Sequence, residues 1–161
     1  MRIVKPEHDY SHLVTIARWI FDEWGHYRPD EAIADVLEYI RGTAVGELVP
    51  SLYVAEVDGV PVGTASIVEC DLPLRSEYTP WLASVVVAAD FRNRGVASEL
   101  VTHIEKVATK SGIERLFLFT TDAEDLYARL GWERLEQLEY RGETITVMYR
   151  DLTDLPGDKK A

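Results

Sequence analysis

Residues 85–97 constrain this chain most: Val85-Val86-Val87-Ala88-Ala89-Asp90-Phe91-Arg92-Asn93-Arg94-Gly95-Val96-Ala97. A β-branched run predicts a buried strand. It stops at Asp90, a short basic turn ending in Gly95 follows, and a helical pattern begins. A strand that feeds a helix through such a turn presents unpaired backbone N–H groups and the positive end of a helix dipole, which together suit an anion. Gly95 leaves the backbone bare where a phosphate would approach, Ala97 keeps the first turn thin, and Arg92 and Arg94 add charge. An ordinary turn with a solvated basic pair has the same composition. Neither G-x-x-x-x-G-K-S/T nor G-x-G-x-x-G is present.

The rest of the chain supplies the frame. Arg2–Lys5 predicts a first strand. Apolar positions at helical spacing predict a helix over 8–23, with Asp9 or Ser11 as cap and Gly25 as stop. Pro29-Asp30-Glu31 opens a second helix that Gly42 ends, and residues 42–50 read as loop. Strands over 52–57 and 62–69 flank the turn Asp58-Gly59. Residues 71–80 read as loop, and Trp81–Val87 as the strand that enters the basic turn. The helix after Gly95 ends near Ser111-Gly112. Leu116-Phe117-Leu118-Phe119 is too continuous for a half-solvated strand and predicts a central one covered on both faces. Thr120-Thr121-Asp122 caps a short helix from Ala123 to Leu130, and two strands joined around Arg141-Gly142 close the pattern. The order β α α β β β α β α β β predicts an α/β (α+β) domain with a mixed, mostly antiparallel central sheet flanked by helices. One domain is expected over 1–153, with a polar, frayed tail over 154–161.

Charge narrows the partners. There are 28 acidic against 17 basic side chains, a formal net charge of -11, which argues against a nucleic-acid binder. The single cysteine, Cys70, cannot form an internal disulfide, and no Cys/His spacing fits a structural metal site. With no apolar leader and no bilayer-length apolar run, the expectation is a cytoplasmic protein without a membrane partner.

The element order and two motifs resemble the GCN5-related N-acetyltransferase (GNAT) superfamily across roughly residues 2–152. In that family an R/Q-x-x-G-x-G/A loop cradles the pyrophosphate of acetyl-CoA, and Arg92, Gly95 and Ala97 stand at its marked positions. The second motif, a tyrosine on a short helix followed by a glycine and an aromatic, is matched by Tyr127, Gly131 and Trp132. The resemblance implies an enzyme that moves an acetyl group from acetyl-CoA to an amine by direct attack in a ternary complex. Arg92, Asn93, Arg94, Gly95, Val96 and Ala97 would hold the pyrophosphate, and Val85, Val86 and Val87 would lie along the pantetheine arm, their backbone N–H groups meeting the oxyanion. Tyr127 would protonate the leaving thiolate.

Two departures follow from the same comparison. Family members often carry a glutamate near the start of the motif strand to take the amine's proton, whereas this chain has Trp81-Leu82-Ala83-Ser84. Glu69 is the nearest substitute by sequence logic, Asp71 a weaker one, and ordered water a third. Where the family often has an asparagine seven residues before the tyrosine, this chain has Thr120, whose hydroxyl could contact the cofactor arm. Aromatic density at Phe21, Trp24, His26 and Tyr27, with Trp81, predicts a wall for an apolar or cationic amine, although each could equally cover a sheet edge. A small-molecule amine is expected; a peptide or protein amine and a homodimer are compatible. The alternative is a CoA-binding regulatory or catalytically degenerate module.

Overall fold

The computed structural model describes residues 1–153 and 155. The tail expected over 154–161 therefore lies, Leu155 apart, outside the described residues. Among the described residues seven strands form one sheet in the order β1-β2-β3-β4-β5-β7-β6. They are β1 (Arg2–Val4), β2 (Ser51–Val57), β3 (Val60–Val68), β4 (Trp81–Val87), β5 (Arg115–Thr120), β6 (Glu133–Tyr140) and β7 (Glu143–Asp151). Every neighbouring pair is antiparallel except β4–β5. Among the described residues four α-helices flank the sheet: α1 (Leu13–Trp24), α2 (Ile33–Val45), α3 (Val96–Lys110) and α4 (Glu124–Arg129). The mixed, mostly antiparallel sheet matches the expected class. Among the described residues no helix is long and apolar enough to cross a membrane.

The alternation of strand side chains builds the layers. Tyr53, Ala55, Leu82, Leu116 and Leu118 point to the face that α3 covers with Val96, Leu100, Val101 and Ile104. Leu52 and Val54 point the other way, against Leu13, Ile16 and Ala17 of α1 and Val36 and Ile40 of α2. Further along that second face Trp81, Ala83, Phe117, Ile145 and Val147 form a third apolar group. The run Leu116–Phe119 is central, as its continuity requires: Leu116, Phe117 and Leu118 are all buried. Both expected hairpin turns take left-handed backbone, at Asp58-Gly59 (φ 52° and 77°) and Arg141-Gly142 (φ 49° and 82°).

Helix boundaries differ from the expectation at three places. α1 starts at Leu13 rather than near His8, and its cap residue His12 makes no side-chain cap. The stretch before it is turned by Tyr10 N–H on the Glu7 carbonyl, and the Tyr10 hydroxyl reaches Glu56 on β2 at 2.9 Å. α2 opens at Ile33, where Asp35 accepts a hydrogen bond from the Ala32 amide at 2.8 Å. Gly42 does not end α2. Burial of Ile40, Thr43 and Ala44 carries the helix past it, and a glycine's propensity cost of about 1 kcal/mol is small against that burial.

Two features of β4 set the site. First, β4 and β5 pair only at Trp81 and Phe117, then diverge. Second, β4 bulges against β3. Thr64 faces Val86 while Ser66 faces Ala83, so one extra residue lies on β4. Ser84 within it takes φ 54°. The Ser66 hydroxyl donates to the freed Ala83 carbonyl at 3.1 Å and holds the bulge.

Candidate active site

The basic turn is built as an anion cradle. Asn93 and Gly95 both take left-handed backbone (φ 62° and 83°), which turns successive amides to one side. Gly95 is the N-cap of α3, and the first backbone bond of that helix runs from the Glu99 amide to the Gly95 carbonyl. Among the described residues, none of the amides from Asn93 to Ser98 donates to a backbone carbonyl. These free donors, at the positive end of a 15-residue helix, match the needs of a pyrophosphate. Arg92 braces the turn by donating from Nε to the Val87 carbonyl at 3.1 Å, and Arg94 lies over the Phe91 ring at 5.3 Å.

Beyond Trp81 the β5-facing edge of β4 has no strand partner. Val85 and Val87 are half-buried along it, while Val86 is buried and pairs with Thr64 on β3. An open strand edge offers a linear amide-containing molecule the hydrogen bonds a strand would take. The residues present therefore fit CoA in two parts, a peptide-like arm along β4 and a pyrophosphate at 92–97.

A cavity of about 180 Å³ opens where β4 and β5 separate. Ala83, Ser84 and Val85 of the bulge and Leu118, Phe119 and Thr120 of β5 form its floor. Phe21 and Trp24 of α1, Tyr27, and Tyr39 of α2 form one wall, and Tyr140 and Tyr127 stand opposite. The Tyr27 hydroxyl donates to Glu143 on β7, and its ring stacks on Tyr140 at 5.3 Å. This contact ties the segment between α1 and α2 to the β6–β7 hairpin across the splay.

Tyr127 contributes a hydroxyl-bearing side chain to the cavity lining. It is 7% exposed, and among the described residues its hydroxyl has no hydrogen-bond partner. Burial, reinforced by the charge of Asp122, raises its pKa far above the ordinary phenol value, so it holds its proton. Its ring packs edge-on to Trp132 at 6.1 Å, and its carbonyl accepts the Trp132 amide at 3.0 Å. Trp132 in turn donates from its indole to Glu105 on α3 at 2.9 Å. Gly131, at φ 95°, makes the tight exit from α4 that brings Trp132 back under Tyr127.

Other expected residues fall differently. Thr120 lines the cavity, but its hydroxyl accepts the Ala123 amide at 3.0 Å and so caps α4. Phe21, Trp24 and Tyr27 are on the wall; His26 is not, and lies 3.2 Å from Glu143 outside it. Trp81 is fully buried rather than lining the cavity, because its indole N–H is taken by the Tyr78 carbonyl at 2.5 Å and its ring fills the third apolar group. Glu69 is exposed at the end of β3 and does not line the cavity; the chain turns there, and the wall is reached two residues later by Asp71. Burial raises the Asp71 carboxyl to about 6, with Arg28 opposing. Sequence reasoning missed Tyr39, Phe119, Asp122 and Tyr140 as wall residues. Asp122 carried a signal, since it directly precedes the capped helix, but it read only as part of that cap.

Comparison with known proteins agrees with this geometry. The model of the acetyltransferase (GNAT) family matches residues 13–132. An uncharacterized N-acetyltransferase of Chlorobaculum tepidum is 27% identical over 128 residues, 78% of this chain and 68% of that protein. Among solved structures, an aminoglycoside 6'-N-acetyltransferase complexed with coenzyme A superposes with a TM-score of 0.75 at 14% identity, covering 98% of this chain and 100% of that one. A ribosomal-protein-alanine N-acetyltransferase from Brucella melitensis gives 0.75 at 16% identity, covering 94% and 99%. These two likenesses speak for the fold. With the family model spanning most of the domain, the chain belongs to the acetyltransferase (GNAT) family of acetyl-CoA-dependent N-acyltransferases.

Proposed function

We propose that the chain acetylates a primary amine of a small molecule by direct attack, with Tyr127 as the general acid. Acetyl-CoA supplies the acyl group as a thioester. The ammonium form first loses one proton to water; the neutral amine attacks the carbonyl, the N–C bond forms, the C–S bond breaks, the nitrogen releases its second proton to water, and Tyr127 passes its hydroxyl proton to the departing sulfur. Solvent returns that proton to Tyr127. The unpaired amides along the bulged part of β4 face the splay and can stabilise negative charge on the carbonyl oxygen.

The observation that carries this reading is the unpartnered hydroxyl of Tyr127, an otherwise buried residue that lines a cavity between the two diverging strands. A protonated phenol there has no structural bond to make. The small acceptor is favoured by the Tyr27–Glu143 tie, which spans the side of the splay where an extended peptide would need an open groove. Residues 92–97 would bind the pyrophosphate and Val85–Val87 the arm. The alternative, a CoA-binding module without turnover, retains the same cradle but leaves Tyr127 without a task.

The test is thiol release from acetyl-CoA across an amine library, with calorimetry of CoA binding. Tyr127→Phe is expected to bind CoA as the parent does and to lose about 100-fold in kcat, the lower end of what a general acid contributes. Unchanged turnover at saturating amine across pH would remove Tyr127 from the mechanism. CoA binding with no amine raising thiol release would favour the module.

A further inference from the structure

We infer that the acceptor is a dicationic amine, one that presents its reacting nitrogen at Tyr127 and keeps a second, protonated basic group in the same cavity. The inference rests on the assignment of that cavity to the acceptor. Four carboxylates line it, Glu23, Glu31, Asp71 and Asp122, against one basic side chain, Arg28. Arg28 is spent on Glu31, 3.5 Å away. Among the described residues, Glu23, Asp71 and Asp122 have no basic partner within 4.0 Å.

The unpaired charges sit at two poles. Asp122 lies on the link between β5 and α4, the helix that carries Tyr127, and so belongs to the reacting end. Asp71 lies just beyond the end of β3, on a separate segment of the cavity lining. A second, independent feature points to a ligand here: Tyr127, more than nine-tenths buried, aims an unpartnered hydroxyl into the same space. Phe21, Trp24 and Phe119 line the cavity with apolar faces that suit a methylene stem and a nearby cation.

A monoamine cannot serve both poles. To attack, its only nitrogen must be neutral, and Asp71 is then left half-buried without a counter-charge. A second ammonium stays protonated through the reaction and pairs with Asp71 throughout. It contributes to binding in every state without slowing the nucleophile.

The experiment compares 1,6-diaminohexane with hexylamine, which share the stem and differ in the second charge. Each is measured twice, as acceptor by thiol release and as ligand by calorimetry with CoA present. The diamine is expected to be favoured about tenfold in both kcat/KM and Kd at low salt, with the advantage shrinking as salt rises. Asp71→Asn should bring the diamine down to hexylamine and leave hexylamine nearly unchanged; Asp71→Ser, which removes the same charge with a smaller side chain, serves if the first variant folds poorly. Equal performance of the two amines, or equal loss of both in the variant, overturns the inference while leaving acetyl transfer intact. Preferential diamine binding that Asp71→Asn abolishes, without any acetyl transfer, supports the charge preference and refutes the proposed reaction instead.

Discussion

Glu105 is the residue whose replacement tests the support beneath Tyr127. Its Oε1 accepts the Trp132 indole N–H at 2.9 Å and faces Arg150 Nε at 3.6 Å, and the residue is 6% exposed. Arg150 also donates from Nη1 to the Gly131 carbonyl at 2.8 Å, so one carboxylate organises the whole exit from α4. Glu105→Ala strands a buried indole donor, worth about 1–3 kcal/mol, and strips a largely buried guanidinium of its counter-charge. Breaking a fully buried pair removes about 3–5 kcal/mol; Arg150 keeps some access to water, so a loss near ~3 kcal/mol is expected. Glu105→Gln should behave differently. It retains an oxygen where both contacts converge and loses only the charge. Burial raises the Glu105 pKa despite Arg150 and Trp132, so the ionised form is less favourable in the folded chain than in the unfolded one. Gln is therefore expected within about 1 kcal/mol of the parent at pH 7. The sign of the pH dependence follows. A raised carboxyl contributes stability that is fully present below its unfolded pKa and is lost as pH rises through its folded pKa. The parent loses that contribution on going from pH 4 to pH 8, the Gln variant does not, and their difference shifts towards Gln. Urea unfolding followed by tryptophan fluorescence at both pH values reads all of this. An Ala variant that loses less than ~1 kcal/mol, or a Gln variant that loses as much as Ala, refutes the reasoning.

Three more outcomes are expected. Gly95→Ala meets no atom within 4 Å but must hold φ 83°, so it should lose about 1 kcal/mol of stability and weaken CoA binding measured by calorimetry. Gly63→Ala is crowded instead, by Leu100 and Val96 of α3 at 3.0 Å and the Val86 carbonyl at 3.1 Å; a loss of about 1–3 kcal/mol in urea unfolding is expected as the first turn of α3 is pushed from the sheet. Asp71→Asn removes a carboxyl raised from 3.8 to about 6, so it should stabilise the ligand-free chain by about 1–2 kcal/mol at pH 8, after discounting for solvent access, and by nothing near pH 3. Thermal melts across that range check it, and a gain that grows as pH falls would contradict the assigned burial.

What the sequence showed clearly was local. The strand Trp81–Val87 and the turn that follows it are written in β-branched residues, a glycine and two arginines, and the backbone obeys them. The hairpins at Asp58-Gly59 and Arg141-Gly142 are equally local, since left-handed backbone selects those residues. Gly42 misled because a helix interior is decided by what its far side buries, and that depends on β2. The acceptor wall was hardest. Asp71, Phe119 and Tyr140 come from three separate segments, and nothing adjacent to any of them marks the meeting point. Glu69 and Trp81 misled for a related reason. Each is next to a cavity segment in sequence, but strand alternation and a turn direct them elsewhere.

The bulge at Ser84 links the two halves of the site. A regular β4 would stay paired with β5, every backbone group between them would be satisfied internally, and no cavity would form. The extra residue bends β4, Ser66 takes up the displaced Ala83 carbonyl, and the strands separate after one pair. The cost is a row of backbone donors and acceptors along β4 that only water or a ligand can satisfy. The same separation opens a cavity that Tyr127 lines together with residues of α1 and α2. On the proposed reading, cofactor arm and amine would thereby meet at one line of backbone from opposite sides. A substitution that restores regular pairing at Ser84 would therefore close the cavity and cover the free edge of β4 together, whereas changes in the 92–97 turn would leave both in place.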